Sequence, residues 1–206
     1  ILARTYRPAF FTVQGTRSLP QTSPSSPENP TSRLSTTAVV LLMTLGTLGQ
    51  LALNIVLPSL PAIGVELQTA PGAERLVLSV FLIGFAGGQL LVGPLSDRFG
   101  RRVILLPGLA LYAVLGGAAA MTASLEWLLA ARLIQGLGAA AGFVIARAIA
   151  RDVFEGPALV RIFGLLTLTM GIVPGVAPVL GGLIQDSAGW EVNMLITSAA
   201  GTLIFA

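Results

Sequence analysis

Two short polar stretches interrupt an otherwise apolar chain, and they hold most of the residues with chemistry to offer. The first is Gly93-Pro94-Leu95-Ser96-Asp97-Arg98-Phe99-Gly100-Arg101-Arg102, the densest cluster of charge in the sequence. The second is Arg132-Leu133-Ile134-Gln135-Gly136-Leu137-Gly138, set inside an apolar run. Met43, Thr47, Gln50 and Asn54 add a polar set at helical spacing on one face of an earlier apolar run. None of these is a bond-making constellation. The chain has no histidine and no cysteine, so the commonest general base and the thiolate metal ligands are missing. There is no buried carboxylate pair, and the glycine-rich runs lack the lysine of a phosphate-binding loop. An enzyme is not expected, and neither is a cofactor or a metal.

Arg132 carries the second signal. At 1.5 Å per residue it lies about 10 Å along a helix that starts near Leu125. An arginine within hydrocarbon costs about 2.5 kcal/mol or more. It must therefore find carbonyls, Gln135, water, a substrate, or a group outside this sequence. Arg132, Gln135, Ala139, Gly142 and Ala146 share one face. That face can pack tightly or border a cavity, and we expect Arg132 to face the cavity. Gln50 and Asn54 are expected to face a cavity or another helix for the same reason.

The charges of the first stretch are oddly placed. Asp97 falls near the C-terminal end of one helix, and Arg101 and Arg102 near the N-terminal end of the next. Each sign opposes its local helix dipole, at a cost of roughly 0.3–1 kcal/mol apiece when exposed. A partner for Asp97 is therefore expected outside the hairpin. Gly93 and Pro94 weaken a helix end, and Gly100 can take the positive-φ conformation that stops a helix.

The elements that carry these residues follow from composition. The 206 residues are 54% hydrophobic and only 10% charged, against about 25% charged in a soluble domain. The mean hydropathy of +0.85 points to an integral membrane protein. Apolar spans are expected at about 36–57, 76–95, 103–121, 125–146 and 162–184, with a truncated one at 192–206. Pro58 and Pro61 should close the first span, and Trp190 should anchor at the headgroups. Residues 1–35, rich in Pro and Ser and basic, read as a disordered or extraneous tail. A chain that opens with Ile and stops inside an apolar run is expected to be a fragment. Every basic residue is arginine. The arginines sit beside apolar runs and form no single patch, so nucleic acid is not an expected partner. Arg98, Arg101, Arg102, Arg147, Arg151 and Arg161 fall in the second and fourth connections, which predicts a cytoplasmic N-terminus.

The loop resembles the signature G-x-L-x-D-R-x-G-R-R of the major facilitator superfamily through Gly93, Leu95, Asp97, Arg98, Gly100, Arg101 and Arg102. In that family it joins transmembrane helices 2 and 3 on the cytoplasmic side, and its aspartate docks against a helix end in the other half. The stretch from Arg132 resembles the family's R-x-x-Q-G-x-G of helix 4, whose arginine is implicated in proton coupling. The span holding Pro174, Gly175, Pro178, Gly181 and Gly182 resembles the antiporter motif G-P-x-x-G-G of helix 5, with Ala177 in place of its first glycine. That form, with Leu57-Pro58-Ser59-Leu60-Pro61, is similar to the Bcr/CflA drug-resistance branch. The resemblance implies the N-terminal six-helix half of a facilitator fold. It also implies a missing C-terminal six-helix half, a bacterial inner (plasma) membrane, protons as coupling ion, and export of small amphipathic molecules by alternating access. Asn54 departs from the branch, which usually has an acid there. A uniporter, a sugar or metabolite porter, or a non-transporting receptor or scaffold are the alternatives.

Overall fold

Within a bilayer every backbone polar group must be satisfied inside the chain, so long apolar runs become helices. The computed structural model describes residues 36–205, and those residues form seven α-helices and two short 3₁₀ turns, with no strand among them. They are α1 (Thr36–Asn54), α2 (Leu60–Glu66), α3 (Leu76–Phe99), α4 (Arg101–Ala120), α5 (Leu125–Val153), α6 (Gly156–Ala188) and α7 (Trp190–Phe205). Among the described residues five spans are long and apolar enough to cross a membrane, with α1 and α2 counted as one continuous stretch. The helix over the last expected span, α7, has 16 described residues. The expected tail at 1–35 lies outside the described residues.

The helices run further than the apolar runs do. Pro94 sits inside α3, which continues through Asp97 and Arg98 to Phe99. The connection to α4 is Gly100 alone, at φ 99°. Glycine fits this turn because a Cβ would strain the backbone there. Gly93 and Pro94 thus do not end a helix. Likewise α5 carries Arg147, Arg151 and Asp152 as helix, not as loop. α6 stays helical through Pro174 and Pro178, as membrane helices can when neighbours re-satisfy the freed carbonyls. Pro58 and Pro61 end α1 only partly. They sit in the first turns of a short 3₁₀ turn and of α2, where the missing N–H bonds nothing anyway.

α5 is the central post, with α3, α4 and α1 packed around it. α7 packs on α4, and α6 lies on α1. The α3–α5 crossing is close enough to exclude any side chain. A Cβ at Gly84 would lie 2.0 Å from the Leu133 carbonyl oxygen, and one at Gly136 would lie 2.3 Å from the Phe81 oxygen. This is the small-residue mode by which helices associate without a hydrophobic driving force. Buried Phe81, Leu48, Leu109 and Tyr112 fill the space left between them. The Tyr112 hydroxyl donates to the Leu48 carbonyl at 3.0 Å and ties α4 to α1.

Candidate functional site

Arg132 is held on α5 by the bundle itself. It is fully buried. Nη1 donates to Gln135 Oε1 at 2.8 Å, one turn along the same helix. Nη2 donates to the Ala52 carbonyl of α1 at 2.9 Å. The Phe81 ring of α3 lies under the guanidinium, 4.4 Å from ring centre to Cζ. Gln135 in turn gives Nε2 to Thr197 Oγ1 of α7 at 3.2 Å and to the Tyr112 carbonyl of α4 at 3.4 Å. The Thr197 hydroxyl donates to the Met194 carbonyl at 2.7 Å. The planar fork thus collects acceptors from α1 and α5, and Gln135 extends the network to α4 and α7.

No carboxylate enters this network. Among the described residues the acids Glu66, Glu74, Asp97, Glu126, Asp152, Glu155, Asp186 and Glu191 all lie at helix ends or connections. The cation is held by neutral dipoles and a ring face, and its Nε has no partner. The expectation that Arg132 faces a cavity is corrected here. Ala139, Gly142 and Ala146, on its face, are themselves buried against neighbouring helices. Gly142 meets the Leu45 carbonyl of α1, where a Cβ would stand 2.8 Å away. Small side chains on that face let α1 come close enough to seal it.

Gln50 and Asn54 are half-buried and meet each other. Asn54 Nδ2 donates to the Gln50 carbonyl at 2.8 Å and to Gln50 Oε1 at 3.3 Å. Neither side chain bonds Arg132, although Ala52 between them supplies its carbonyl.

At the far end of the bundle, the charged loop closes on itself. Arg101 Nη1 donates to Asp97 Oδ1 and, at 2.8 Å, to Ser96 Oγ. Its Nε donates to Asp152 Oδ2 of α5 at 3.3 Å. The partner expected for Asp97 outside the hairpin is therefore a neighbour within it, and Asp152 is the outside contact. The pairing answers part of the dipole problem, because Asp97 and Arg101 meet across Gly100. It is a weak clasp: the Arg101 and Asp97 side chains are 30% and 65% exposed, and exposed pairs contribute about 0.2–1 kcal/mol. Arg98 lies over the Phe99 ring, and Arg102 is exposed.

The helix-5 motif residues divide by neighbour. Gly181 packs on α1, where a Cβ would fall 2.1 Å from the Ile55 carbonyl oxygen. Gly182 looks toward Pro58 at 3.8 Å. Pro174 and Gly175 are exposed, nothing lies within 4 Å of a Cβ at Gly175, and Pro178 is half-buried.

Three buried groups escaped the sequence reading. Asn193 on α7 donates to Ser59 Oγ and to the Gly181 carbonyl, both at 2.9 Å. An isolated amide in an apolar run was the available signal. Thr197 and Tyr112 complete the Arg132 network. Trp190, expected as an anchor, is buried at the start of α7, with Nε1 donating to Glu66 Oε2 at 2.8 Å.

Comparison with known proteins follows the same lines. Residues 42–206 match the family described as Major Facilitator Superfamily. The chain is 38% identical over 156 residues to the uncharacterized MFS-type transporter YdgK of Bacillus subtilis (strain 168), covering 75% of this chain and 39% of that protein. It is 37% identical over 158 residues to the chloramphenicol resistance protein of Pseudomonas aeruginosa, covering 73% and 38%. It is 34% identical over 142 residues to multidrug resistance protein D of Escherichia coli (strain K12), covering 69% and 36%. The chain thus spans under two-fifths of the length of each of these relatives.

Proposed function

This chain belongs to the Major Facilitator Superfamily, and we propose that it forms the N-terminal six-helix half of a Bcr/CflA-type exporter of small amphipathic molecules. It is an integral membrane protein, and as a carrier it transforms no substrate. Its partners in this reading are the small-molecule substrate, protons, the bilayer and a C-terminal half. Alternating access needs contacts that break and re-form at low cost. The observation that carries the reading is the Asp97–Arg101–Asp152 clasp, which joins the α3–α4 turn to the end of α5 through exposed, weak ion pairs. The names of two relatives, a chloramphenicol resistance protein and a multidrug resistance protein, support drugs as the substrate class. Asn54 favours a second reading, a facilitator without proton coupling, since an amide carries no proton and no acid lies mid-span among the described residues.

The test is export by the complete natural protein. Wild type should lower cell accumulation of chloramphenicol, and Asp97→Asn should abolish most of that export with membrane abundance near normal. Normal export by Asp97→Asn would remove the clasp from the mechanism. Orientation has its own check, since the chain has no cysteine to interfere. Phe99→Cys and Ser187→Cys, both at exposed positions, should react with impermeant reagent from opposite faces, Phe99 from the cytoplasm. Labelling of both from one face would contradict the topology, and labelling of Phe99 from outside the cell would contradict a cytoplasmic N-terminus.

A further inference from the structure

Between α1 and α6 runs a groove of about 270 Å³, with Met43, Thr44 and Thr47 on one wall and Thr169 and Val173 on the other. Its polar groups are hydroxyls, and none of its lining residues is charged. Each hydroxyl has already spent its proton on its own helix. Thr44 donates to the Val40 carbonyl at 2.9 Å, Thr47 to Met43 at 3.0 Å, and Thr169 to Leu166 at 2.9 Å. What they still offer is lone pairs. The groove is therefore an apolar slot whose polar points only accept.

The electrostatics beside it select further. Arg147 of α5 reaches Met170, the residue after Thr169, with Nη2 2.8 Å from the sulfur, and lies 3.6 Å from the Phe143 ring centre. No carboxylate faces it among the described residues. A cationic guest would meet an uncompensated cation and no counter-charge.

We propose that this groove is a subsite for an uncharged amphipathic molecule bearing hydroxyl or amide N–H donors, seated with its donors on Thr47 and Thr169. The proposal rests on the exporter reading above. Its volume is just under the lower end of ligand pockets, about 300 Å³, so it holds part of a small molecule. The chain spans only 39% of its relative's length, and the remainder of the protein would roof it. The backbone of a helix from that remainder would not satisfy the hydroxyl oxygens, because its N–H groups are spent internally. A donor-bearing small molecule would.

The test uses the complete protein with two probes, chloramphenicol (uncharged, with hydroxyl and amide donors) and tetraphenylphosphonium. Thr47→Val/Thr169→Val keeps the shape and removes the acceptors. It breaks no bond between helices, so abundance should hold. We expect KM for chloramphenicol export to rise about tenfold, as the loss of one to two net hydrogen bonds implies, with kcat little changed. Thr47→Ser/Thr169→Ser should restore it. An unchanged KM in the valine variant would overturn the subsite while leaving the exporter reading intact. So would wild-type export of tetraphenylphosphonium at an equal or lower KM. No export by wild type would overturn the exporter reading itself, and the subsite with it.

Discussion

Arg132→Lys is expected to cut export at least about tenfold, a loss of roughly 1.4 kcal/mol of transition-state stabilisation, with membrane abundance near the wild-type level. The two terminal nitrogens of Arg132 serve acceptors on different helices, Gln135 Oε1 on α5 and the Ala52 carbonyl on α1. An ammonium is a single point and does not reproduce that fork. It also loses the flat stacking of the guanidinium on Phe81. Snorkelling cannot rescue either residue, because Arg132 is enclosed on every side. Arg132→Ala should also destabilise the fold, since Gln135 Oε1 then loses its donor, at about 1–3 kcal/mol for a buried unsatisfied group. Export is read against abundance in the complete protein. Wild-type export by both variants would make the network structural only.

The largest effect on folding is expected at glycines where helices touch. Gly84→Ala and Gly181→Ala should each destabilise the protein by about 3 kcal/mol, at the upper end of overpacking costs. In both, the added carbon would fall 2.0–2.1 Å from a backbone oxygen, of Leu133 and Ile55 respectively. Backbone cannot swing aside as a side chain can, so the helices must separate. Gly171→Ala and Gly175→Ala meet nothing within 4 Å in this segment, so melting in detergent should be unchanged there by contacts within it. Wild-type melting of Gly84→Ala would show that the α3–α5 crossing is looser than described. Lost export by Gly175→Ala with normal melting would place its partner in the remainder of the protein.

Why some of this was legible in sequence and some was not has physical reasons. Apolar run length located each long helix, because burying backbone in lipid leaves few other options. It misplaced the ends, because Asp97, Arg98, Arg147 and Asp152 are polar yet still helical. Hydropathy reports where lipid stops, not where hydrogen bonding does. Gly84 and Gly181 were readable as small residues, but only the fold says which carbonyl each one meets. Depth along α5 marked Arg132 as costly. Whether its neighbours seal it depends on which helices surround that face, and spacing along one chain does not encode that. The Arg101–Asp152 pair, 51 residues apart in sequence, is out of reach for the same reason. Asn193 looked like an ordinary polar residue until Ser59 and the Gly181 carbonyl were brought to it.

The most direct measurement of the central claim is accumulation of radiolabelled chloramphenicol in everted membrane vesicles carrying the complete natural protein. Everted vesicles turn the cytoplasmic face outward, so export appears as uptake. A proton-coupled exporter built on this half should accumulate the drug when respiration acidifies the interior, and should release it when a protonophore collapses the gradient. Vesicles carrying Arg132→Lys at equal abundance should accumulate at least about tenfold less. Accumulation no greater than in vesicles lacking the protein would contradict export. Accumulation that survives the protonophore would contradict proton coupling.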